Sequence, residues 1–503
     1  MSVVVYAATA AGVCAAVAAA RRAVAVTLLE PGRHVGGMVS GGLGYTDLGD
    51  PRVLGGMARE FAVAVGEYYG VAPGHYAGPE PHVAERILTG WLEAAGVEVV
   101  VDAPLTAVAA RDGVIASVRA GGREYRGGVF VDASYEGDLL ALAGVSYRVG
   151  REDRGRYGER FAGRPEFAPG KHNFPPYLSP FDTDGRLFPL IDDAPTTAVG
   201  AGDGAVMGYG YRVCLSGAPD RLPFPCRDGY DPAEWELARR WFALLAERGI
   251  EIGAPDVLGL VPNLPNGKCD ANSIGPLSLN LLDGTQHAYP EADAASRERI
   301  RARHRDYTLD FLHFMSTDPA VPAAVRDGLG AWGLPADEFT DTGGLPHQLY
   351  VREARRMLGE YVLTEHDLFP APVPQFDAIA MGSYHIDVRE VRRTWREVYE
   401  HPDPLPSVEN EGYLSVPVRP YPIPYRAIVP RFAECTNLLV PVCVSASHVA
   451  FASVRMEVQY EMLGQAAGEA AALTLADGRP VQRIDVGALQ ERLAGQGTVL
   501  ALG

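Results

Sequence analysis

The chain has 503 residues, of which 47% are hydrophobic and 21% charged, a composition that can bury a full core and excludes a disordered protein. Its formal charge of -18 argues against nucleic acid as a partner, because phosphate contacts need clustered lysines and arginines. The six cysteines include no C-x-x-C pair and no histidine at zinc spacing, so we expect neither a metal site nor a disulfide framework. These features favour a cytoplasmic protein.

An uncharged, mostly apolar stretch at residues 3–20 has the character of a signal peptide or membrane helix. However, the basic residues Arg21 and Arg22 follow this stretch, whereas a signal peptide has them in front. The stretch is also rich in alanine and is interrupted by Gly12. We therefore expect a folded element and no membrane partner.

The same N-terminal region predicts a strand over Val3 to Tyr6, a helix over Ala10 to Arg22 and a strand over Val24 to Leu29. This order is that of a dinucleotide-binding βαβ unit, and it predicts an α/β, Rossmann-like fold. A βαβ unit without a ligand remains the alternative for this segment alone.

The turn between the first strand and the helix, "AATAAG" at residues 7–12, departs from the usual G-x-G-x-x-G. Alanine is tolerated in the first position if the turn needs no positive φ. Backbone N–H groups and the helix dipole hold the phosphates, so no particular side chain is needed, although a threonine adds a hydroxyl. We predict cofactor contacts from Ala7, Ala8, Thr9, Ala10 and Gly12.

Glu30 ends the second strand, 18 residues after Gly12. An acid in this place accepts a hydrogen bond from a ribose hydroxyl. A solvated strand end is the alternative.

The segment "PGRHVGGMVSGGLG" at residues 31–44, here named the glycine loop, is too rich in glycine for a helix or strand and predicts a loop against a ligand. NAD needs little protein beyond the acid, whereas FAD continues to its isoalloxazine ring, so the loop favours FAD. The predicted contacts are Pro31, Arg33, His34, Gly36, Gly37, Met38 and Gly42. His34 also raises the possibility of covalent flavin attachment, with an oriented neutral histidine as the alternative.

A helix is predicted over residues 80–96, followed by strands near 97–101, 104–110, 114–119 and 123–132. The last strand runs into "VFVDASYEGD", which we expect to close over the adenine side of the cofactor. Leu105 and Ser134 are the predicted contacts here.

Prolines and aromatic residues crowd the region from about 150 to 425, which reads as a separate cap or substrate domain. Helices are predicted in it over 233–249, 294–315, 347–361 and 387–400. After residue 437, a strand, "NLLVPVCVSA", and a long helix from about Ser453 restore the α/β pattern. The N-terminus of that helix is expected to face flavin N1 and O2, with contacts from Val454, Arg455 and Met456.

Five segments carry a family resemblance: "VVVYAATAAGV", "LLEPGRHVGGMVSGGLG", "VDASYEGDLLALAGVSYRVGRE", "DTGGLPHQLYVREARRMLGEYVLTEHD" and "LLVPVCVSASHVAFASVRMEVQYEMLGQAAGEAAAL". Together they resemble the FAD-dependent oxidoreductase family, glutathione-reductase-type flavoproteins often described as xanthan-lyase-associated. The resemblance implies non-covalent FAD in a domain formed by residues 1–150 and 426–503, with an inserted substrate or cap domain at 151–425. Family members more often have glycine at the position of Ala7.

No second strand–GxGxxG–helix unit is found, so we expect no built-in NAD(P)H domain. Electrons then come from a small-molecule substrate and leave to O2, a quinone or a partner protein. We expect hydride transfer to flavin N5 from a small polar molecule, sugar-like or a natural product. A flavin-dependent monooxygenase is the alternative enzyme, and a flavin-bearing binding protein without turnover is the alternative of another class.

The catalytic candidates are His448, His347, Arg352 and His385. His448 follows the last strand, and a structural histidine is its alternative. His347 and Arg352 lie on the helix predicted for 347–361, where Arg352, Arg355 and Arg356 share one face suited to an anion or, alternatively, to ion pairs. His385 forms an H-x-D pair with Asp387, which on a strand places both on one side, and a pair of ordinary loop residues is the alternative. The polar loop at 263–272, with Asn263, Lys268 and Asp270, is a further candidate for substrate contact or a plain surface turn.

Overall fold

The computed structural model describes residues 2–71, 78–170, 172–399 and 403–502. The helices in these ranges are α1 (Ala10–Ala20), α2 (Gly56–Tyr69), α3 (Pro81–Ala95), α4 (Asp138–Leu142), α5 (Arg154–Tyr157), α6 (Glu236–Glu247), α7 (Ala294–Thr317), α8 (Ala323–Gly330), α9 (Glu365–Leu368), α10 (His448–Val454), α11 (Glu457–Asp477) and α12 (Val486–Gly495). None of these described helices is both long and apolar enough to cross a membrane.

The strands of the first third are β1 (Val3–Tyr6), β2 (Val26–Leu29), β3 (Glu98–Val100), β4 (Leu105–Arg111), β5 (Val114–Ala120), β6 (Arg123–Arg126), β7 (Val129–Asp132) and β8 (Tyr147–Arg148). The remaining strands are β9 (Tyr209–Gly210), β10 (Cys214–Ser216), β11 (Leu258–Gly259), β12 (Lys268–Asp270), β13 (Asn272–Ser273), β14 (Asn280–Leu281), β15 (Arg356–Met357), β16 (Ala378–Gly382), β17 (Ile386–Val388), β18 (Arg392–Val398), β19 (Leu405–Glu411), β20 (Leu414–Val416), β21 (Tyr421–Pro424) and β22 (Leu438–Leu439).

A five-stranded parallel sheet, in the order β22–β7–β1–β2–β3, forms the centre of the molecule. Val3 of β1 lies opposite Val26 on one side and Val129 on the other. The predicted βαβ unit is confirmed, and the fold is mixed α/β with a parallel sheet. Because all five strands are parallel, the carboxyl ends of β1, β2 and β7 meet at one edge of the sheet.

Helix α1 is buried along nearly its whole length, with only its last residue, Ala20, partly exposed. Its alanines leave room for α11, which packs directly on its backbone. A Cβ placed on Gly464 of α11 would lie 2.1 Å from the carbonyl oxygen of Ala11. The absence of a side chain at Gly464 therefore allows the C-terminal part of the chain to close against the first helix.

The middle of the chain consists largely of two-stranded antiparallel pairs with helices between them. The helices predicted over 233–249 and 294–315 are confirmed as α6 and α7. The helix predicted over 347–361 is wrong, since this segment is irregular apart from β15. The helix predicted over 387–400 is also wrong, because residues 392–398 form β18 and pair with β19. In both places, pairing with distant parts of the chain outweighs local helical propensity.

Two predictions for the C-terminal region need correction. The strand in "NLLVPVCVSA" covers only Leu438–Leu439. The single helix predicted from about Ser453 is two helices, α10 and α11, separated at Arg455 and Met456, a break we name the helix junction. Met456 has an extended backbone and interrupts the helical hydrogen bonding, so α11 begins at Glu457.

The first turn of the βαβ unit adopts a conformation that usually requires glycine. Ala7 has a φ of +72°, so the turn does need positive φ, and the condition stated for alanine is not met. Gly12 keeps its place because a Cβ there would lie 2.0 Å from the Ala7 carbonyl oxygen.

We expect Ala7→Gly to stabilise the protein by about 0.5–1 kcal/mol. Removing the steric strain of alanine in the left-handed region stabilises the folded state by roughly 1–2 kcal/mol. Part of this gain is offset because glycine has greater conformational freedom in the unfolded chain. Urea unfolding monitored by circular dichroism measures the effect. The control is Ala8→Gly at a position without positive φ, which should destabilise by about 0.5–1 kcal/mol. A loss of stability in Ala7→Gly would contradict this account.

Candidate functional site

The turn at residues 7–12 and the end of β2 are joined by the carboxylate of Glu30. Glu30 Oε2 accepts from the backbone N–H of Ala8 at 2.7 Å, and Oε1 accepts from Gly32 at 2.7 Å. Burial raises the pKa of this carboxyl to about 7, against the effect of these two hydrogen bonds. Glu30 therefore holds the chain at the place where the sequence predicts a ribose contact.

The hydroxyl of Thr9 is already used within the fold. Its Oγ1 donates to the carbonyl of Ala133 at 2.8 Å and accepts from the N–H of Gly12 at 3.1 Å, which caps α1. The predicted extra hydroxyl contact to a phosphate would compete with these bonds. The N-terminus of α1, with its backbone groups and dipole, is the feature that suits a phosphate.

The glycine loop connects the turn to α11. Gly36 N–H donates to the Ala8 carbonyl at 2.7 Å, and Met38 N–H donates to the hydroxyl of Tyr135 at 2.9 Å. The Tyr135 hydroxyl in turn donates to Glu457 Oε1 at 2.9 Å. The turn, the glycine loop, the segment after β7 and the start of α11 thus meet in one region, although they come from both ends of the chain.

Several buried polar atoms in this region lack a protein partner among the described residues. They are Arg455 Nε at the helix junction, Glu457 Oε2 and both polar side-chain atoms of Gln459. Buried polar groups in folded proteins are almost always hydrogen-bonded. These atoms therefore fit a region that receives a polar ligand, and together with the N-terminus of α1 they fit a dinucleotide.

His34 and His347 form a stacked pair, with ring centres 4.0 Å apart. His34 Nδ1 contacts Glu85 at 3.1 Å and Nε2 contacts Asp341 at 3.0 Å, and the hydrogen bond with Glu85 is the largest cause of its raised pKa. Because both ring nitrogens are engaged, covalent attachment of flavin would require the release of one carboxylate. Burial and the neighbouring His34 lower the pKa of His347 to about 4, so this ring is neutral at pH 7.

Of the other predicted cofactor contacts, some are exposed and others are buried or hydrogen-bonded within the fold. Arg33 is exposed, with 74% of its side chain accessible, and pairs with Asp102. Leu105 begins β4, and its N–H donates to the Tyr6 hydroxyl. Ser134 Oγ donates to Asp132 Oδ1 at 2.6 Å. Pro31 is exposed, whereas Gly37, Gly42, Val454 and Met456 are buried. All of these stay predictions as cofactor contacts.

A cavity of about 150 Å³ lies between the segment that follows the glycine loop, the helix junction and the middle of the chain. We name it the basic cavity. It is lined by Asp47, His172, Arg212, Asn272, Ser273, Ile274, Tyr350, Arg352, Tyr384, His385, Asp387, Arg389 and Arg455. Four residues singled out from the sequence, Arg352, His385, Asp387 and Arg455, meet here.

Two arginines of the basic cavity are paired with carboxylates at close range. Arg212 makes a bidentate pair with Asp270, at 2.8 and 2.7 Å. Arg455 Nη2 contacts Asp387 Oδ2 at 3.1 Å, and its Nη1 donates to the Tyr350 hydroxyl at 3.0 Å. These pairs neutralise the two charges and fix the side chains in place.

His385 and Asp387 lie at the wall of the cavity, with Nε2 and Oδ1 3.7 Å apart. Burial would raise the pKa of Asp387, but the contact with His385 and the charges of Arg455 and Arg389 lower it well below its usual value. Asp387 is therefore ionised at pH 7, and its negative charge lies beside the His385 ring.

His448 lies outside the basic cavity, at the first residue of α10. Its Nδ1 contacts Glu353 at 2.8 Å, and its backbone N–H donates to Glu152 at 2.8 Å. Arg356 pairs with both of these carboxylates, bonding Glu152 at 2.6 Å. Arg355 pairs with Asp138 and Glu291. The common helical face predicted for Arg352, Arg355 and Arg356 is therefore wrong, because the three side chains reach different partners.

The polar loop at 263–272 is held by its own contacts. Lys268 Nζ lies 2.6 Å from Glu80, 2.7 Å from Asp337 and 2.7 Å from Glu338. With His82, these carboxylates form a cluster of suitable spacing for a metal ion, but the lysine ammonium already occupies its centre.

Sequence reasoning missed several residues of the cavity, notably Arg212, Arg389 and Tyr384. All three lie outside the strands, Arg212 just before β10 and Tyr384 and Arg389 on either side of β17. One signal was present, since Arg212 interrupts an apolar and aromatic run, "VMGYGYRVCL". A charge in such a run indicates a buried polar site.

We expect Glu457→Gln to change how stability depends on pH. Burial raises the pKa of the Glu457 carboxyl from 4.5 to about 8. The unfolded chain loses this proton at lower pH, so the contribution of Glu457 lowers wild-type stability as the pH rises from about 4.5 to 8. Glutamine removes that effect, and the variant should gain about 3.5 kcal/mol over the wild type at pH 8 relative to pH 5.

Urea unfolding at the two pH values tests this prediction. Glu491→Gln on α12, at an exposed position, is the control and should follow the wild type. If Glu457→Gln shows the same difference between pH 5 and pH 8 as the wild type, Glu457 is ionised in the folded protein and the prediction is wrong.

The chain has a family match and several partial structural similarities among known proteins. No curated protein matches the chain. Among solved structures, it is similar to AlpK (20% identity, TM-score 0.23, 30% of this chain and 35% of that one) and L-proline dehydrogenase from P. horikoshii (16%, 0.25, 30% and 57%). A third is L-amino acid deaminase from Proteus vulgaris (13%, 0.24, 30% and 52%).

The matched regions span from about a third to just over half of those solved structures, and the likeness carries no argument about activity. The family described as FAD dependent oxidoreductase matches residues 2–493. The chain therefore belongs to the FAD-dependent oxidoreductase family, and its cofactor is FAD.

Proposed function

We propose that the protein oxidises a small polar molecule, sugar-like or a natural product, by hydride transfer to flavin N5, and that O2 or another acceptor reoxidises the flavin. The observation that carries this proposal is the position of the basic cavity. Arg455 belongs to the helix junction predicted to contact the flavin, and Asp47 follows the glycine loop. The cavity is therefore next to the predicted flavin contacts and is also walled by residues of the middle region.

We also propose the finer architecture, a glutathione-reductase-type FAD domain formed by residues 1–150 and 426–503, with the substrate domain at 151–425. In support, β22 returns to the central sheet beside β7, and α11 packs on α1. The predicted FAD contacts from the turn, Glu30, the glycine loop, Leu105, Ser134 and residues 454–456 belong to this proposal.

Bound FAD supplies the acceptor for two electrons and one hydrogen. The chain must then remove the second hydrogen, a proton on the substrate oxygen or nitrogen, and hold the reacting carbon in place. His385, oriented by Asp387, takes the proton in this scheme. Arg455 donates a hydrogen bond to the Tyr350 hydroxyl, and the two side chains form a fixed wall of the cavity.

An absorbance spectrum of the purified protein, followed by acid precipitation, tests the cofactor part of the proposal. We expect flavin bands that move into the supernatant. Anaerobic addition of candidate substrates should then bleach the oxidised flavin bands. Rapid NAD(P)H consumption would support a monooxygenase instead, and flavin that shifts in colour but is never reduced would support a binding protein.

We expect His385→Asn to slow flavin reduction by about 100-fold without loss of bound FAD, because general-base catalysis contributes at least this much. Stopped-flow absorbance with a substrate found by the screen measures the rate. His366→Asn, at an exposed position outside the cavity, is the control and should retain the wild-type rate. Unchanged reduction in His385→Asn would remove this residue from the scheme.

A further inference from the structure

We propose that Arg352 binds a carboxylate group of the substrate, so that the substrate class is that of small monocarboxylic acids. This inference rests on the proposed function, since it assigns a ligand to the same cavity. It selects one arginine from the four that line the cavity.

Arg352 differs from the other arginines of the cavity in having no carboxylate partner among the described residues. Of its guanidinium nitrogens, only Nη1 donates to a described protein acceptor, the carbonyl of Gly208. Its guanidinium lies over the ring of Tyr350, 4.3 Å from the ring centre. These two contacts fix the plane of the group and leave its other donors for a ligand.

The burial of Arg352 makes this arrangement informative. Only 5% of the residue is accessible, and it lines the basic cavity. A buried charge is normally paired with an opposite charge. Burial and the nearby charges of Arg389, Arg455 and Arg212 lower the pKa of Arg352 to about 9, which is the direction expected when the balancing anion comes from a ligand.

The balance of charge in the cavity favours a single negative charge on the ligand. Arg212 and Arg455 are neutralised by Asp270 and Asp387, and Arg389 lies 3.5 Å from Glu390. One guanidinium thus remains for one anionic group. A carboxylate matches the planar fork of arginine and carries one charge, whereas a phosphate monoester carries nearly two at pH 7.

The remaining groups of the cavity suit the rest of such a molecule. Asp47 lines the cavity but is exposed, so a negative group lies at the outer side while the free guanidinium lies inside. A volume of about 150 Å³ has room for a small carboxylic acid. The carboxylate would therefore be bound at Arg352, with the reacting carbon toward His385 and the helix junction.

The test is a binding measurement on the oxidised FAD-loaded protein, using propanoate, the neutral isostere propanamide, and inorganic phosphate as probes. Flavin difference spectra and calorimetry report binding without any turnover. We expect propanoate to bind at least tenfold more tightly than propanamide or phosphate. Arg352→Met should lose at least 30-fold in propanoate affinity, and Arg352→Lys should lose less because it keeps the charge.

Arg186→Met, on the surface with 79% of the side chain exposed, is the control for loss of a positive charge and should bind propanoate like the wild type. Flavin content and circular dichroism confirm that each variant is folded. If Arg352→Met does not fold, the comparison of the three probes on the wild type still decides. Preference for phosphate, equal binding of propanoate and propanamide, or unchanged propanoate affinity in Arg352→Met would each overturn the proposal.

These outcomes separate the inference from the proposed function. Reduction of the flavin by a neutral substrate, with no propanoate binding, would leave the oxidoreductase proposal standing and remove the carboxylate site. If propanoate binds at Arg352 but no substrate reduces the flavin, the carboxylate site stands and the oxidoreductase proposal is removed.

Discussion

The close packing of α11 on α1 is the constraint on which the rest of the site depends. At Gly464 the two helices approach so closely that a single methyl group would collide with the Ala11 carbonyl. This contact brings the end of the chain against its beginning and places Glu457, at the start of α11, within hydrogen-bonding distance of Tyr135. Tyr135 in turn holds Met38 of the glycine loop. The position of the glycine loop thus depends on a helix more than 400 residues away in sequence.

A second constraint comes from buried charge. The segment after Leu349 contains three arginines with different contacts, and two of them form carboxylate pairs. Arg355 pairs with Asp138 at the start of α4, and Arg356 pairs with Glu152, which also accepts from the backbone N–H of His448 at the start of α10. Breaking such a pair leaves an uncompensated charge in the interior, at a cost of about 3–5 kcal/mol. These pairs therefore hold the backbone so that Arg352 remains in the cavity, although no carboxylate of the described residues pairs with its guanidinium.

How much of this could be predicted from the sequence depends on how local each feature is. The βαβ unit follows from apolar runs and an alanine-rich helix that lie next to each other, and it was predicted correctly. The helix predicted over 347–361 is wrong because the spacing of its arginines is also that of a helical face. In the structure each of these side chains contacts a different part of the chain. Arg212 and Arg389 come from segments far apart in sequence, and only the folded chain shows that they share a cavity.

Ala7 shows how the turn can keep its shape when alanine stands in place of the first glycine of the motif. Its N–H donates to the Leu29 carbonyl at 2.7 Å, and the N–H of the next residue, Ala8, donates to the Glu30 carboxylate at 2.7 Å. Contacts with the end of β2 therefore fix the backbone at Ala7 in its left-handed conformation. A left-handed alanine costs about 1–2 kcal/mol, which is comparable to one or two such hydrogen bonds. Because Gly12 still allows the approach to the Ala7 carbonyl, the geometry that presents the N-terminus of α1 survives the loss of the first glycine. The essential part of the motif is therefore the shape imposed by β2 and Gly12, and the residue type at position 7 affects stability more than it affects that shape.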